Sequence, residues 1–189
     1  MTDLPMTRRC GDCQLCCKLL PVSGIRKPAN TRCAHQRHGK GCAVYGRTEH
    51  PKMPLECKLW SCRWLVDGGT ADFSRPDRSH YVLDVMPDFV TAQAGPDAER
   101  IRIEALQVWV DPNYRDAHRD PALRAYLAKA GEAGIVAIIR YGSKEGFTLV
   151  PPALSGTGDW LEIASGVENE HSVAEMFAVE KVKKIEAVP

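Results

Sequence analysis

Long apolar runs are missing from this chain. No stretch approaches the roughly 20 residues that a helix needs to cross a bilayer, and the opening MTDLPMTRRCGDC carries no apolar run of the kind that directs secretion. The cytoplasm is therefore the expected location, and no membrane partner is expected. The common enzyme signatures are missing too: there is no Walker-type phosphate loop, no GxGxxG after a strand, no GxSxG elbow and no HExxH helix. Catalysis loses support, and no catalytic residue is assigned. Glu99, Glu104, Asp111 and Asp116 are scattered over predicted strands and turns, where carboxylates usually face solvent, and they receive no role. Two further scarcities are local. Cysteine is absent from the last 127 residues, and acidic residues are rare in the first 65.

What is present is enough for a folded core. Apolar residues make up 44% of the 189 and charged residues 26%, which is the balance of an ordinary globular protein and not of a disordered one. The length suits one medium domain, or a small metal-stapled unit joined to a compact domain. The net charge of +1 conceals a division after Leu65. Residues 1–65 hold 12 Lys or Arg against 4 Asp or Glu, a balance of +8, and residues 66–189 hold 13 against 20, a balance of −7. Neutralisation of buried thiolates is the favoured reading of the basic part, because nearby cations lower a thiol's pKa. Nucleic-acid contact is the second.

All eight cysteines, Cys10, Cys13, Cys16, Cys17, Cys33, Cys42, Cys57 and Cys62, fall in the first 62 residues. A reducing compartment keeps thiols from pairing, so metal ligation or redox chemistry is expected ahead of a disulfide scaffold. In CGDCQLCC, two-residue gaps let Cys10, Cys13 and Cys16 converge as a tripod that suits a cuboidal iron–sulfur cluster with a fourth ligand from elsewhere. The same gap serves tetrahedral zinc. Cys16 and Cys17 are neighbours whose side chains diverge, so Cys17 is expected to join a second centre with some of Cys33, Cys42, Cys57 and Cys62. A site using Cys33 with His35 or His38 is a lesser alternative, with His50 also nearby. Some of the later cysteines are alternatively read as small buried hydrophobes. Trp60 and Trp64 are read as shielding the metal from water rather than stacking on a nucleobase.

The connecting segment GIRKPANTRCAHQRHGKGC has no apolar periodicity that would build a core, so metal is what is expected to order it. Residues 1–66 are thus read as a small, irregular cysteine-rich metal-binding module packed on a mostly antiparallel α+β domain over residues 67–189. There, VDGGTADFSRPD is a turn-rich connector. YVLDVM and FVTAQA are predicted as two strands of a hairpin separated by Pro87 and Asp88. IRIEALQVWV switches its apolar phase midway and predicts a long strand with a bulge, ended by Asp111 and Pro112. Asp120 and Pro121 predict a helix start, with Leu123, Tyr126, Leu127 and Ala130 on one face up to Gly131 or Gly134. IVAIIRY and FTLV flank GSKEG as a hairpin, WLEIA is a short strand, and VAEMFAVEKVKK is helical in pattern.

Residues 10–62 resemble the bacterial CxxCxxCC or YkgJ-like cysteine-cluster family, described as a zinc- or iron-chelating domain. The likeness rests on CGDCQLCC, the lone Cys33, Cys42 with Val44 and Tyr45, Pro54, and Cys57, Lys58, Trp60 and Cys62. Met53 and Lys58 stand where the family has arginines, and the gap from Tyr45 to Pro54 is longer than usual. Lysine does not reproduce the bidentate geometry of a guanidinium. The resemblance implies metal chelation by the eight cysteines and no particular reaction.

Three functions follow. The first is a metal-binding redox or sensing protein with an iron–sulfur cluster or clusters. The second is a zinc-ordered module that meets nucleic acid or a protein partner through its basic half. The third stores or delivers zinc or iron ions.

Overall fold

The computed structural model describes residues 8–49, 51–93, 97 and 99–164. Its elements in chain order are α1 (Leu15–Leu19), β1 (Gln36–Arg37), β2 (Gly41–Cys42), α2 (Leu55–Leu59), α3 (Arg63–Val66), α4 (Pro76–Ser79), β3 (Tyr81–Gln93), β4 (Arg100–Val110), α5 (Pro121–Glu132), β5 (Val136–Arg140), β6 (Gly146–Val150), α6 (Pro152–Ser155) and β7 (Leu161–Ile163). The chain is α+β, with a five-stranded sheet in the order β3-β4-β5-β6-β7 and a separate small hairpin of β1 and β2. Every neighbouring pair in the large sheet is antiparallel except β4 and β5, which are parallel and joined through α5, so the sheet is mixed. Among the described residues no helix is long and apolar enough to cross a membrane.

Local chemistry fixes the best-defined elements. The Asp120 carboxylate accepts from the Ala122 and Leu123 N–H groups at 2.8 and 3.4 Å, and Pro121 opens α5 where its missing N–H costs nothing. The predicted helix is therefore present. Asp111 closes β4 by accepting from Asn113 N–H at 3.1 Å. The hairpin around residues 142–145 and the short strand after Trp160 are also where the pattern put them. The VAEMFAVEKVKK expectation lies outside the described residues.

Two strand expectations are corrected. YVLDVM and FVTAQA are one continuous strand, β3, and Pro87 pairs in register with Leu106. The physical reason is position: β3 is the edge of the sheet, where a strand tolerates a residue with no N–H. The irregularity lies in β3 and not in β4. Leu83 pairs with Val108 and Pro87 with Leu106, so Asp84, Val85 and Met86 oppose Gln107 alone. The phase switch in β4 has another cause, because residues 105–110 are buried on both faces.

One face carries Tyr81, Leu83, Leu106, Val108, Val110, Ala137, Ile139 and Leu149, packed on Leu123 and Leu127 of α5 and on Phe73. On the opposite face, Val82 and Trp109 pack against Leu15, Leu19 and Cys62. The cysteine-bearing segment is thus seated on the sheet through apolar contact. Its attachment point is the irregular stretch of β3, where Cys62 bridges Asp84 backbone to backbone.

Candidate metal centre

The motif CGDCQLCC folds as a tight turn followed by one short helix. Cys13 N–H donates to Cys10 O at 2.9 Å, Gly11 takes a φ of 55°, and α1 then carries Cys16 and Cys17 while burying Leu15 and Leu19. The β1–β2 hairpin is pinned to this turn by Gln14, whose amide donates to Arg37 O and to Gly41 O, the latter at 3.1 Å, and accepts from Gln36 Nε2 at 2.7 Å. Contact is so close that a Cβ on Gly41 would lie 2.6 Å from Gly11 O, and Gly41 also has a φ of 82°. Two glycines therefore allow the strand that carries Cys42 to approach the tripod turn. At the far end, α2 carries Cys57, and Glu56 next to it accepts from Gly24 N–H at 2.6 Å.

All eight cysteines are free thiols. Cys13 and Cys62 are buried and the rest half-buried. Their mutual electrostatics divide them. Cys10 feels Cys13, Cys17 and Cys62, and Cys16 feels Cys17, Cys10 and Cys62. Cys57 and Cys42 feel Cys17 and Cys33, and Cys57 also feels Cys42. Cys10, Cys13, Cys16 and Cys62 thus act on one another, and Cys17, Cys33, Cys42 and Cys57 likewise, with Cys17 also acting on Cys10 and Cys16. The vicinal pair stands at the junction, its two side chains sharing a hydrogen bond.

Burial and mutual repulsion hold most of these thiols protonated. Burial, with repulsion from Cys13, Cys17 and Cys62, pushes Cys10 up to about 12. Burial raises Cys57 and Cys62 to about 11. Cys17 goes the other way, to about 7, because Cys16 donates to it and the Lys27 ammonium attracts it. Backbone N–H groups act on several of these sulfurs. Cys33 Sγ accepts from His35 N–H at 3.4 Å. Against the burial that raises them, Cys13 is lowered by the N–H of Leu15, Cys42 by those of Val44 and Tyr45, and Cys62 by those of Leu65 and Trp64. Each of these groups sits two or three residues after its sulfur, and those at Cys13, Cys42 and Cys62 favour the thiolate form.

Among the described residues no three His, Cys, Asp or Glu side chains converge as a metal ion requires. The donor chemistry nevertheless fits a thiophilic metal: the sulfurs are unpaired, act on one another, and include several that backbone N–H groups favour as S⁻. Closing each set onto an ion requires the thiols to lose protons and draw in, as metal-coupled ordering does.

The remaining sequence candidates divide. His35 serves Cys33 through its backbone N–H, and His50 lies outside the described residues. Trp60 and Trp64 line the seam between this segment and the sheet, packing with Leu15, Leu19 and Trp109. Their indole N–H groups donate to Asp84 at 2.6 Å and to Phe73 O at 3.2 Å. Asp111 is buried and paired with Lys18 at 2.5 Å, a tie between α1 and the end of β4 that the sequence pattern did not reveal.

Sequence reasoning also missed Gln14, Lys27 and Arg75. Gln14 was hidden inside the cysteine motif and Lys27 inside a cationic run. Arg75 reaches Asp12 at 2.6 Å and Asp77 through both Nε and Nη2, and its charge acts on Cys10 and Cys13. Compared with protein-family models, with curated proteins and with solved structures, the chain matches none of them.

Proposed function

We propose that this is a metal-binding protein of the YkgJ-like, CxxCxxCC kind, holding zinc or iron, the latter as iron–sulfur clusters, in two centres of four cysteines each. One set is Cys10, Cys13, Cys16 and Cys62, and the other is Cys17, Cys33, Cys42 and Cys57. The observation that carries the reading is eight unpaired thiols drawn from separate segments into one electrostatic network, with His35 N–H on Cys33 Sγ at 3.4 Å and backbone N–H groups acting against burial at Cys13, Cys42 and Cys62. Protonated thiols in a core have little need of such donors, whereas thiolates on a metal are held and tuned by them. A redox or sensing role follows if the centres are clusters, and ordering or delivery of zinc if they are not.

The test is elemental analysis and acid-labile sulfide on protein purified without oxygen, followed by single Cys→Ser variants. Two centres per chain are expected, with a serine in either set removing one centre and sparing the other. A chain that takes up neither zinc nor iron defeats the reading. Loss of both centres from every variant defeats the partition.

A second reading, contact with nucleic acid or an acidic protein, is favoured by the cations of the same segment. Arg37, Lys40 and Arg47 surround the β1–β2 hairpin, and Tyr45 among them is 69% exposed. Binding to a single-stranded oligonucleotide that weakens steeply with salt supports it, and no binding at low salt removes it.

A further inference from the structure

Lys27 is the one buried lysine among the described residues, 7% exposed. Its backbone is locked by an antiparallel bridge to Val22, with N–H···O bonds of 2.9 and 3.0 Å in the two directions, across a turn in which Arg26 takes a left-handed φ of 51°. The side chain runs inward. Its ammonium donates to Lys18 O at 3.2 Å, to Leu20 O and to Pro28 O at 3.2 Å, so three carbonyls hold it at one spot. No carboxylate among the described residues pairs with it. Two of those carbonyls, Lys18 O and Leu20 O, belong to the end of the helix that carries Cys16 and Cys17, and the thiols of Cys33, Cys17, Cys16 and Cys57 act on the charge of Lys27.

A buried ammonium with neutral partners alone is costly, and a chain keeps one where a negative charge offsets it. The other cysteine set has its own cation, but there Arg75 is already matched by Asp12 and Asp77. The cation beside the second set has no such match among the described residues.

We infer that Lys27 is the built-in counter-cation of the centre formed by Cys17, Cys33, Cys42 and Cys57, a positioning residue that lets an anionic four-thiolate group sit at a half-buried place. This rests on the reading of the cysteines as metal ligands. Four thiolates on a divalent ion leave a net charge of about −2, and an ammonium fixed by three carbonyls lowers that cost without becoming a ligand. The two centres are then unequal: Lys27 acts on Cys17, Cys33 and Cys57 of the second and on Cys16 alone of the first, so loss of the charge weakens the second more.

The experiment uses the full chain loaded with zinc and follows transfer of the metal to a chromogenic chelator. Lys27→Gln removes the charge while keeping N–H donors for the carbonyls, and Lys27→Arg keeps the charge. The expected result is that one of two zinc ions leaves Lys27→Gln roughly 10- to 100-fold faster, the size typical of outer-shell changes. The release rate of the other ion changes less, and Lys27→Arg behaves as wild type. Equal release from Lys27→Gln and wild type overturns the inference. Where the chain retains iron and sulfide instead, the same pair is read by reduction potential, lowered in Lys27→Gln and restored in Lys27→Arg, and an unmoved potential overturns it. If the neutral variant does not fold, the wild-type Lys27 ¹⁵Nζ resonance decides. It shifts on zinc loading if the ammonium faces the centre and stays in place if it does not. A wild-type chain that binds no metal defeats the parent reading and is thereby told apart from a failure of Lys27.

Discussion

Trp60 donates its indole N–H to Asp84 Oδ1 at 2.6 Å, and the same oxygen accepts from Met86 N–H at 2.8 Å. This one carboxylate ties the segment between Cys57 and Cys62 to the irregular stretch of β3. It is almost wholly buried, and burial raises it from the ordinary 3.8 to about 6. A raised carboxyl favours the folded state when protonated. Its contribution is therefore full below about pH 4 and is lost as pH rises through about 6. The loss is on the order of 3 kcal/mol. Asp84→Asn removes the titration. The stability of wild type minus that of Asp84→Asn, from urea unfolding of the metal-free chain, is expected to fall between pH 4 and pH 7. A constant difference contradicts this.

A second buried charge sits on the same sheet. Arg140 donates to Asp88 Oδ2 at 3.1 Å and to Gln107 Oε1 at 2.8 Å, with Arg140 and Asp88 each 3% exposed. Replacing only Asp88 by Ala strands a guanidinium in the core and is expected to cost about 3–5 kcal/mol. Changing both, Asp88→Ala with Arg140→Met, is expected to cost less than the two single changes summed. A double-mutant cycle measures the coupling, and additivity would show that the pair is not an energetic unit.

Gly131 in α5 invites a routine stabilisation, since alanine is favoured over glycine in a helix by about 1 kcal/mol. Here the sign is expected to reverse. A Cβ at Gly131 would lie 2.5 Å from Pro151 Cβ and 2.8 Å from its Cγ, and the proline ring has no rotamer with which to retreat. Gly131→Ala is expected to lower stability by about 1–3 kcal/mol, the usual cost of overpacking. A raised urea midpoint would refute it.

Cys17 is expected to be the reactive thiol of the reduced, metal-free protein. The hydrogen bond from Cys16 and the field of Lys27 bring it to about 7, while Cys10, Cys57 and Cys62 are held at 11 or above. Iodoacetamide followed by peptide mass mapping is expected to label Cys17 first, with its rate rising to half-maximum near pH 7. Equal labelling of all eight cysteines is the contrary outcome.

Elements set by neighbours in sequence were legible in it. The α5 helix was written in Asp120, Pro121 and the spacing of Leu123 and Leu127, and the β5–β6 hairpin in two apolar runs around GSKEG. The eight cysteines announced themselves by spacing alone. Each of these signals is local, because capping, turn chemistry and helical period act within a few residues. What lay beyond reach depended on which side of which strand a residue occupies. Pro87 read as a break because nothing nearby in sequence says that β3 is an edge, and residues 105–110 read as a bulge because burial on both faces erases alternation.

The sequence by itself thus determined the thiol inventory, its confinement to the first 62 residues and the α+β composition of the rest. Only the tertiary structure decided which elements bring those thiols near one another. Gln14 brings the hairpin of Cys42 to α1, the seam of Trp60, Leu19 and Trp109 carries Cys62 to the tripod, and Lys27 turns inward among the others. Gln14 and Gly41 are 27 positions apart and Leu19 and Trp109 are 90, and such pairings are set by close packing and by burial of charge, neither of which leaves a period in the chain.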